Sequence, residues 1–179
     1  MDDAEDPPFT ASVLALNQPD ITFLLRYWLD RRDGDKPPLR RSMDPADFPQ
    51  LLPRIAVMEV ARSRDGAICF RYRLTGSEIV ARIGRDPTGY YFSEIYEGED
   101  LVQTERLYTH LHETGEAFAS RTSYAVGRTE ENLLLYDRLI LPLRSREELD
   151  RADQFMLLIV VVGQTGAFQP VGSFWEAKR

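Results

Sequence analysis

Ile68-Cys69-Phe70-Arg71-Tyr72-Arg73-Leu74-Thr75-Gly76-Ser77-Glu78-Ile79 changes period part-way along. Up to Leu74 it alternates. Ile68, Phe70, Tyr72 and Leu74 point one way, and Cys69, Arg71 and Arg73 the other, which is the period of a strand with one covered face. Thr75 then has Glu78 three residues later, the spacing of a capping box, so a short helix is expected to open there and run through Ile83. Gly84 suits its end. Upstream, Asp65-Gly66 is a hairpin signal between two apolar runs. Residues 54–62 are then the partner strand, with Ile55 and Val57 alternating with Ala56, Met58 and Val60. Downstream, Asp86-Pro87-Thr88-Gly89 reads as a turn.

The rest of the chain extends this pattern. Glu99 to Thr114 reads as a longer helix closed by Gly115, with Leu101, Tyr108, Leu111 and His112 on one face and His110 pointing away. Three strands follow, at 117–126, 133–143 and 155–163. The last is apolar on both faces, which predicts a central place in the sheet. Ahead of the hairpin, Pro37, Pro38, Pro45, Pro49 and Pro53 forbid a long helix or central strand over 35–53. Before that, Ile21, Leu24, Leu25, Trp28 and Leu29 mark a helix over residues 20–33, with Asp20 as its expected N-cap. Phe23 and Tyr27 form a second apolar stripe on the opposite side, for a loop or for another subunit to cover. Strands at both ends with helices grouped between them predict an α+β fold, a five-stranded antiparallel sheet carrying its helices on one face, with an N-terminal helical extension. The expected divisions are an acidic tail (1–18), the helix and Pro-rich connector (19–53), the core domain (54–164) and a C-terminal tail (165–179) containing Phe168, Phe174 and Trp175.

Composition bounds the function. The 179 residues are 43% hydrophobic and 28% charged, which is globular. Acidic residues outnumber basic ones 29 to 22, for a formal net charge of −7, and that argues against nucleic acid as a partner. One cysteine excludes a disulfide framework or a zinc-thiolate cluster, and two histidines make a multi-histidine metal site improbable. The apolar run Met156 to Val162 is too short to span a bilayer, and the start Met1-Asp2-Asp3-Ala4-Glu5-Asp6 is unlike a signal peptide. A cytoplasmic protein without a membrane partner is expected. The sequence contains no Gly-rich phosphate loop, no H-E-x-x-H and no G-x-S-x-G.

The element order β-β-α-α-α-β-β-β resembles the PAS domain. Asp44-Pro45-Ala46-Asp47-Phe48-Pro49-Gln50-Leu51-Leu52-Pro53, then Arg71 to Ile79, Gly84-Arg85-Asp86-Pro87-Thr88-Gly89 and Leu139-Ile140-Leu141-Pro142-Leu143 resemble segments of small bacterial single-PAS proteins. With the leading helix the resemblance covers about residues 20–164. It implies a sensory or regulatory module of signal transduction that binds a small molecule or a protein. It also implies pairing through the helix before the core, which here is the helix with two stripes. The candidate contacts are Phe23, Leu24, Tyr27 and Trp28, the expected assembly is a homodimer, and a histidine kinase or another signalling protein is a candidate partner.

For a ligand, Tyr72, Tyr108, His112, Tyr124 and Arg138 are the candidates to line a pocket between sheet and helices. Their alternative is as ordinary amphipathic side chains at the core edge. In some PAS proteins a histidine on the helix that corresponds to the one bearing His112 ligates haem iron. The competing reading of His112 is a core histidine bonded to backbone or to Tyr124. Cys69 superficially resembles the cysteine of flavin-binding light sensors, but Ile68 precedes it and the segment is a strand, so a structural thiol is expected. No motif names a cofactor. The leading expectation is a non-enzymatic regulatory protein. Two others stay open: a small acid–base isomerase-like enzyme using Asp137 with Tyr124 or Tyr136, and a ligand-free structural adaptor.

Overall fold

The computed structural model describes residues 16–125 and 133–164. Two apolar strands form its middle. β1 (Ile55–Arg62) and β2 (Ile68–Thr75) make the first hairpin, and β3 (Phe118–Ala125), β4 (Leu133–Leu143) and β5 (Gln154–Gln164) follow the helices. All pairings are antiparallel, and the order across the sheet is β2-β1-β5-β4-β3. The last of the described strands is thus the central one, as its two-faced apolarity requires. Successive side chains of β5 leave on opposite sides: Met156, Leu158 and Val160 join one core cluster, while Phe155 and Leu157 join another.

The two clusters are the two faces of the sheet. On one face, α2 (Ser77–Ile83) and α3 (Gly98–Thr114) supply Ile79, Tyr108 and Leu111. On the other, α1 (Pro19–Leu29) supplies Ile21, Leu24, Leu25 and Trp28, and the connector supplies Met43, Phe48 and Leu51. The proline-rich connector forms short 3-10 turns at 40–42, 45–47 and 49–54. The N-terminal extension is therefore a third layer, sharing a core with the sheet. The Trp28 indole fixes it, donating from Nε1 to the Pro142 carbonyl at 2.8 Å.

Several local expectations change. The N-cap of α1 is Gln18, whose side chain accepts from the Asp20 N–H, and Pro19 takes the first helical position. Asp20 instead accepts from Arg54 Nη1 at 2.8 Å. The Thr75–Glu78 box does not form. Thr75 is still paired to Ala56 in the ladder, and Gly76 is the N-cap of α2. Gly76 is held by its N–H on the Ile55 carbonyl at 2.8 Å. Leu74, read with Phe70 and Tyr72, is 48% exposed. The register slips between Val57 and Met58, so Leu74 faces Val57 while Tyr72 faces Met58, and the alternation changes side. His110, expected to point away, is half-buried. The segment after the second turn runs along β2: Tyr72 N–H donates to Tyr90 O (3.0 Å) and Gly89 N–H to Tyr72 O (2.7 Å), covering that edge of the sheet.

Candidate interaction site

The pocket expected between the sheet and the helices falls beside α3, and there the space is taken by rings. Phe92 is the hub. It lies 5.5 Å from Phe70, 5.5 Å from Tyr72, 5.6 Å from Tyr96 and 5.0 Å from Tyr108, the last two edge-on, a geometry ring quadrupoles favour. Phe155 closes the cluster at 5.1 Å from Tyr108.

The polar atoms of these rings are arranged as well. The Tyr72 and Tyr96 hydroxyls share a hydrogen bond of 2.7 Å. Burial pushes the Tyr72, Tyr96 and Tyr108 phenols above the ordinary tyrosine range, and neighbouring phenols push Tyr72 and Tyr108 further. The Arg138 guanidinium acts the other way on Tyr96 and Tyr108. Arg138 itself is half-buried, donates from Nε to Ser120 Oγ at 2.7 Å and stacks 5.3 Å from the Phe118 ring. The sheet thus brings Tyr72, Tyr108 and Arg138 into one electrostatic neighbourhood with Tyr96 and Tyr136. Phenols held this way stay protonated near neutrality.

A folded-state rise in phenol pKa means that stability is lost as pH climbs above the unfolded value of about 10, because only the unfolded chain then releases the proton. Followed at 295 nm, the Tyr72, Tyr96 and Tyr108 steps are expected to coincide with unfolding by circular dichroism. Full tyrosinate absorbance at a pH where the fold is intact would contradict this.

His112 lies one turn beyond Tyr108 on α3. Its Nδ1 lies 2.5 Å from the Ala152 carbonyl, which is the core-histidine reading. Backbone Tyr124 pairs with Leu134 in the β3–β4 ladder, but its side chain lies outside the described residues, as do Phe168, Phe174 and Trp175. Cys69 is in β2, free and half-buried, and burial raises its thiol. Asp137 has no exposed surface and is gripped by Arg121 through Nε (2.7 Å) and Nη2 (2.8 Å). It neighbours Tyr136 in β4, so the two side chains leave opposite faces of the sheet. Asp137 and Tyr136 therefore do not meet as an acid–base pair.

The α1 residues divide differently from the expectation. Leu24 and Trp28 are 0% and 1% exposed, consumed by the chain's own core, so they are not surface contacts. Tyr27 is half-covered by the connector: its ring meets Phe48 edge-on at 5.3 Å and its hydroxyl donates to Asp47 Oδ2 at 2.6 Å. Phe23 alone of the four is open, at 42%. Tyr96 and Phe92 were missed in the sequence, although aromatic residues crowd Tyr90-Tyr91-Phe92 and Tyr96.

An antiparallel sheet in the order 2-1-5-4-3, with its intervening helices on one face over a ring-packed core, defines an α+β module. The family model for the PAS domain matches residues 17–156, and the chain belongs to that family. The match takes in α1 and the connector. No curated protein matches the chain. Among the described residues no helix is long and apolar enough to cross a membrane, and no group of three or more His, Cys, Asp or Glu side chains could hold a metal ion.

Proposed function

We propose that this PAS domain is a non-enzymatic regulatory module of bacterial cytoplasmic signalling. It works by association, first with a second copy of itself and then with a signalling protein such as a histidine kinase. The observation that carries this reading is the contrast between interior and surface. The interior is filled by Phe70, Tyr72, Phe92, Tyr96, Tyr108 and Phe155, while α1 presents Phe23 to solvent beside Tyr27, their rings 6.2 Å apart. A filled interior supports the adaptor reading over one with a large cofactor inside. Exposed aromatic area on a helix already anchored by its other face suits a contact between copies.

The test is Phe23→Asp, which leaves the core residues Leu24 and Trp28 in place. Light scattering at tens of micromolar is expected to show a dimer for the parent chain, and the variant is expected to associate at least about tenfold more weakly. The melting temperature of the variant monomer should be unchanged. A parent chain that is monomeric under these conditions would sink the dimer proposal.

A further inference from the structure

β5 outruns its neighbour. Its register with β1 ends at Leu158 opposite Ile55, whereas its register with β4 continues to Gln164. On the β1 side, residues 159–164 have no strand partner among the described residues. The cause lies in the sequence just before β1. Pro49 opens the 3-10 segment Pro49–Arg54 and Pro53 sits inside it. Proline has no N–H to give a ladder, so the chain cannot run as a central strand there and begins pairing only at Ile55. A cleft of about 320 Å³ remains between that segment, α2 and the edge of β5. It is lined by Gln50 and Arg54, by Glu78, Ile79 and Arg82, and by Ile159 to Val161. It lies at the end of β1, and two residues of its wall, Ile79 and Ile159, also border the ring-filled core.

The size is within the range of small-ligand sites. The lining has three chemistries. Guanidiniums of Arg54 and Arg82 come from two different elements, and guanidinium is the side chain best shaped for a carboxylate. Glu78, one helical turn before Arg82, supplies a carboxylate for a cation. Ile79 and the β5 residues supply apolar wall. Arg54, Arg82 and Glu78 give the lining both signs of charge, which suits a ligand that carries both.

We propose that this cleft binds an α-amino acid with a short apolar side chain. Arg54 and Arg82 hold the carboxylate, Glu78 accepts the ammonium, and Ile79 with Ile159 to Val161 covers the side chain. The proposal rests on the sensory reading above and gives it a place where the signal enters. Arg54 is also the anchor of α1, through its bond to Asp20 in the first turn. Phe23 is three residues beyond Asp20. A ligand carboxylate on Arg54 competes with Asp20 and so acts on the turn that carries the exposed ring. Coupling of this kind is reciprocal, so association through α1 changes the affinity of the cleft by the same factor.

The test is a titration of the full-length ¹⁵N-labelled chain with L-leucine, L-leucinamide and 4-methylpentanoate. The last two lack the carboxylate and the ammonium respectively. L-leucine is expected to shift the amides of Ile159 to Val161 and the Nε–H signals of Arg54 and Arg82 saturably, with a Kd in the millimolar range or tighter. The Asp20 and Ile21 amides should follow with the same midpoint. Either analogue, and L-leucine with the Arg82→Gln chain, should bind at least about tenfold more weakly. The same titration on Phe23→Asp separates the two readings, since a monomer that still binds L-leucine in the cleft removes the dimer without removing the site. No saturable shift at these positions, equal binding of either analogue, or shifts centred on Tyr72, Tyr96 and Tyr108 would overturn the proposal.

Discussion

Trp28→Ala is expected to lower stability by about 4 kcal/mol, the cost of removing a fully buried large ring from a packed core. Trp28 is 1% exposed and belongs to the cluster formed by α1, the connector and the outer faces of β1, β4 and β5. Two losses combine. The ring leaves a cavity that its neighbours only partly close, and the Pro142 carbonyl loses the indole donor 2.8 Å away. In a domain of this size, roughly 2–4 °C of melting temperature follows each kcal/mol, so a drop of about 8–16 °C is expected. Denaturant midpoints at constant slope check it. A change under about 1 kcal/mol would mean that α1 does not share the core. The contrast with Phe23→Asp matters, because two residues in one helix are then assigned to folding and to association by separate measurements.

Gly76→Ala is expected to cost about 3 kcal/mol, the upper part of the range for overpacking a tight site. The backbone at Gly76, with φ −66 and ψ 152, is one that alanine adopts freely. Relief of glycine's unfolded-state freedom would by itself favour the variant. Space decides the sign. An added Cβ would lie 2.4 Å from the carbonyl oxygens of both Leu52 and Pro53, and these are backbone atoms that cannot rotate away. The same close approach brings α2 against the 3-10 segment and so frames the cleft. Urea unfolding of Gly76→Ala tests the steric argument, and a stabilised variant would refute it.

Much of the architecture was legible locally. The Asp65-Gly66 turn, the helix ends at Gly84 and Gly115 with φ of 78 and 68, and the central place of β5 follow from patterns within single segments. Three features were not, for related reasons. The register slip at Val57/Met58 depends on how two strands meet, so alternation within β2 alone misplaced Leu74. Leu24 and Trp28 fit either a core or an interface by periodicity. Only the packing of α1 on strands more than a hundred residues away separates them. The cleft exists because β5 pairs further with β4 than with β1, and no local window contains that difference. Of the residues read as lining a pocket, Tyr72, Tyr108 and Arg138 share one electrostatic neighbourhood, and His112 Nδ1 lies against the Ala152 carbonyl.

The strand order carries a kinetic consequence. Of the described strands β5 is the last to be synthesised, and it lies between β1 and β4. Until it exists, the hairpin β1–β2 and the hairpin β3–β4 have no common edge, and the outer core on which α1 rests lacks Met156, Leu158 and Val160. The sheet is therefore completed from its centre and late, by contacts far apart in sequence, which are the slowest kind to form. A chain emerging from the ribosome holds α1 and both half-sheets with apolar surface uncovered until that one segment arrives, and this interval is when it is most exposed to misassembly.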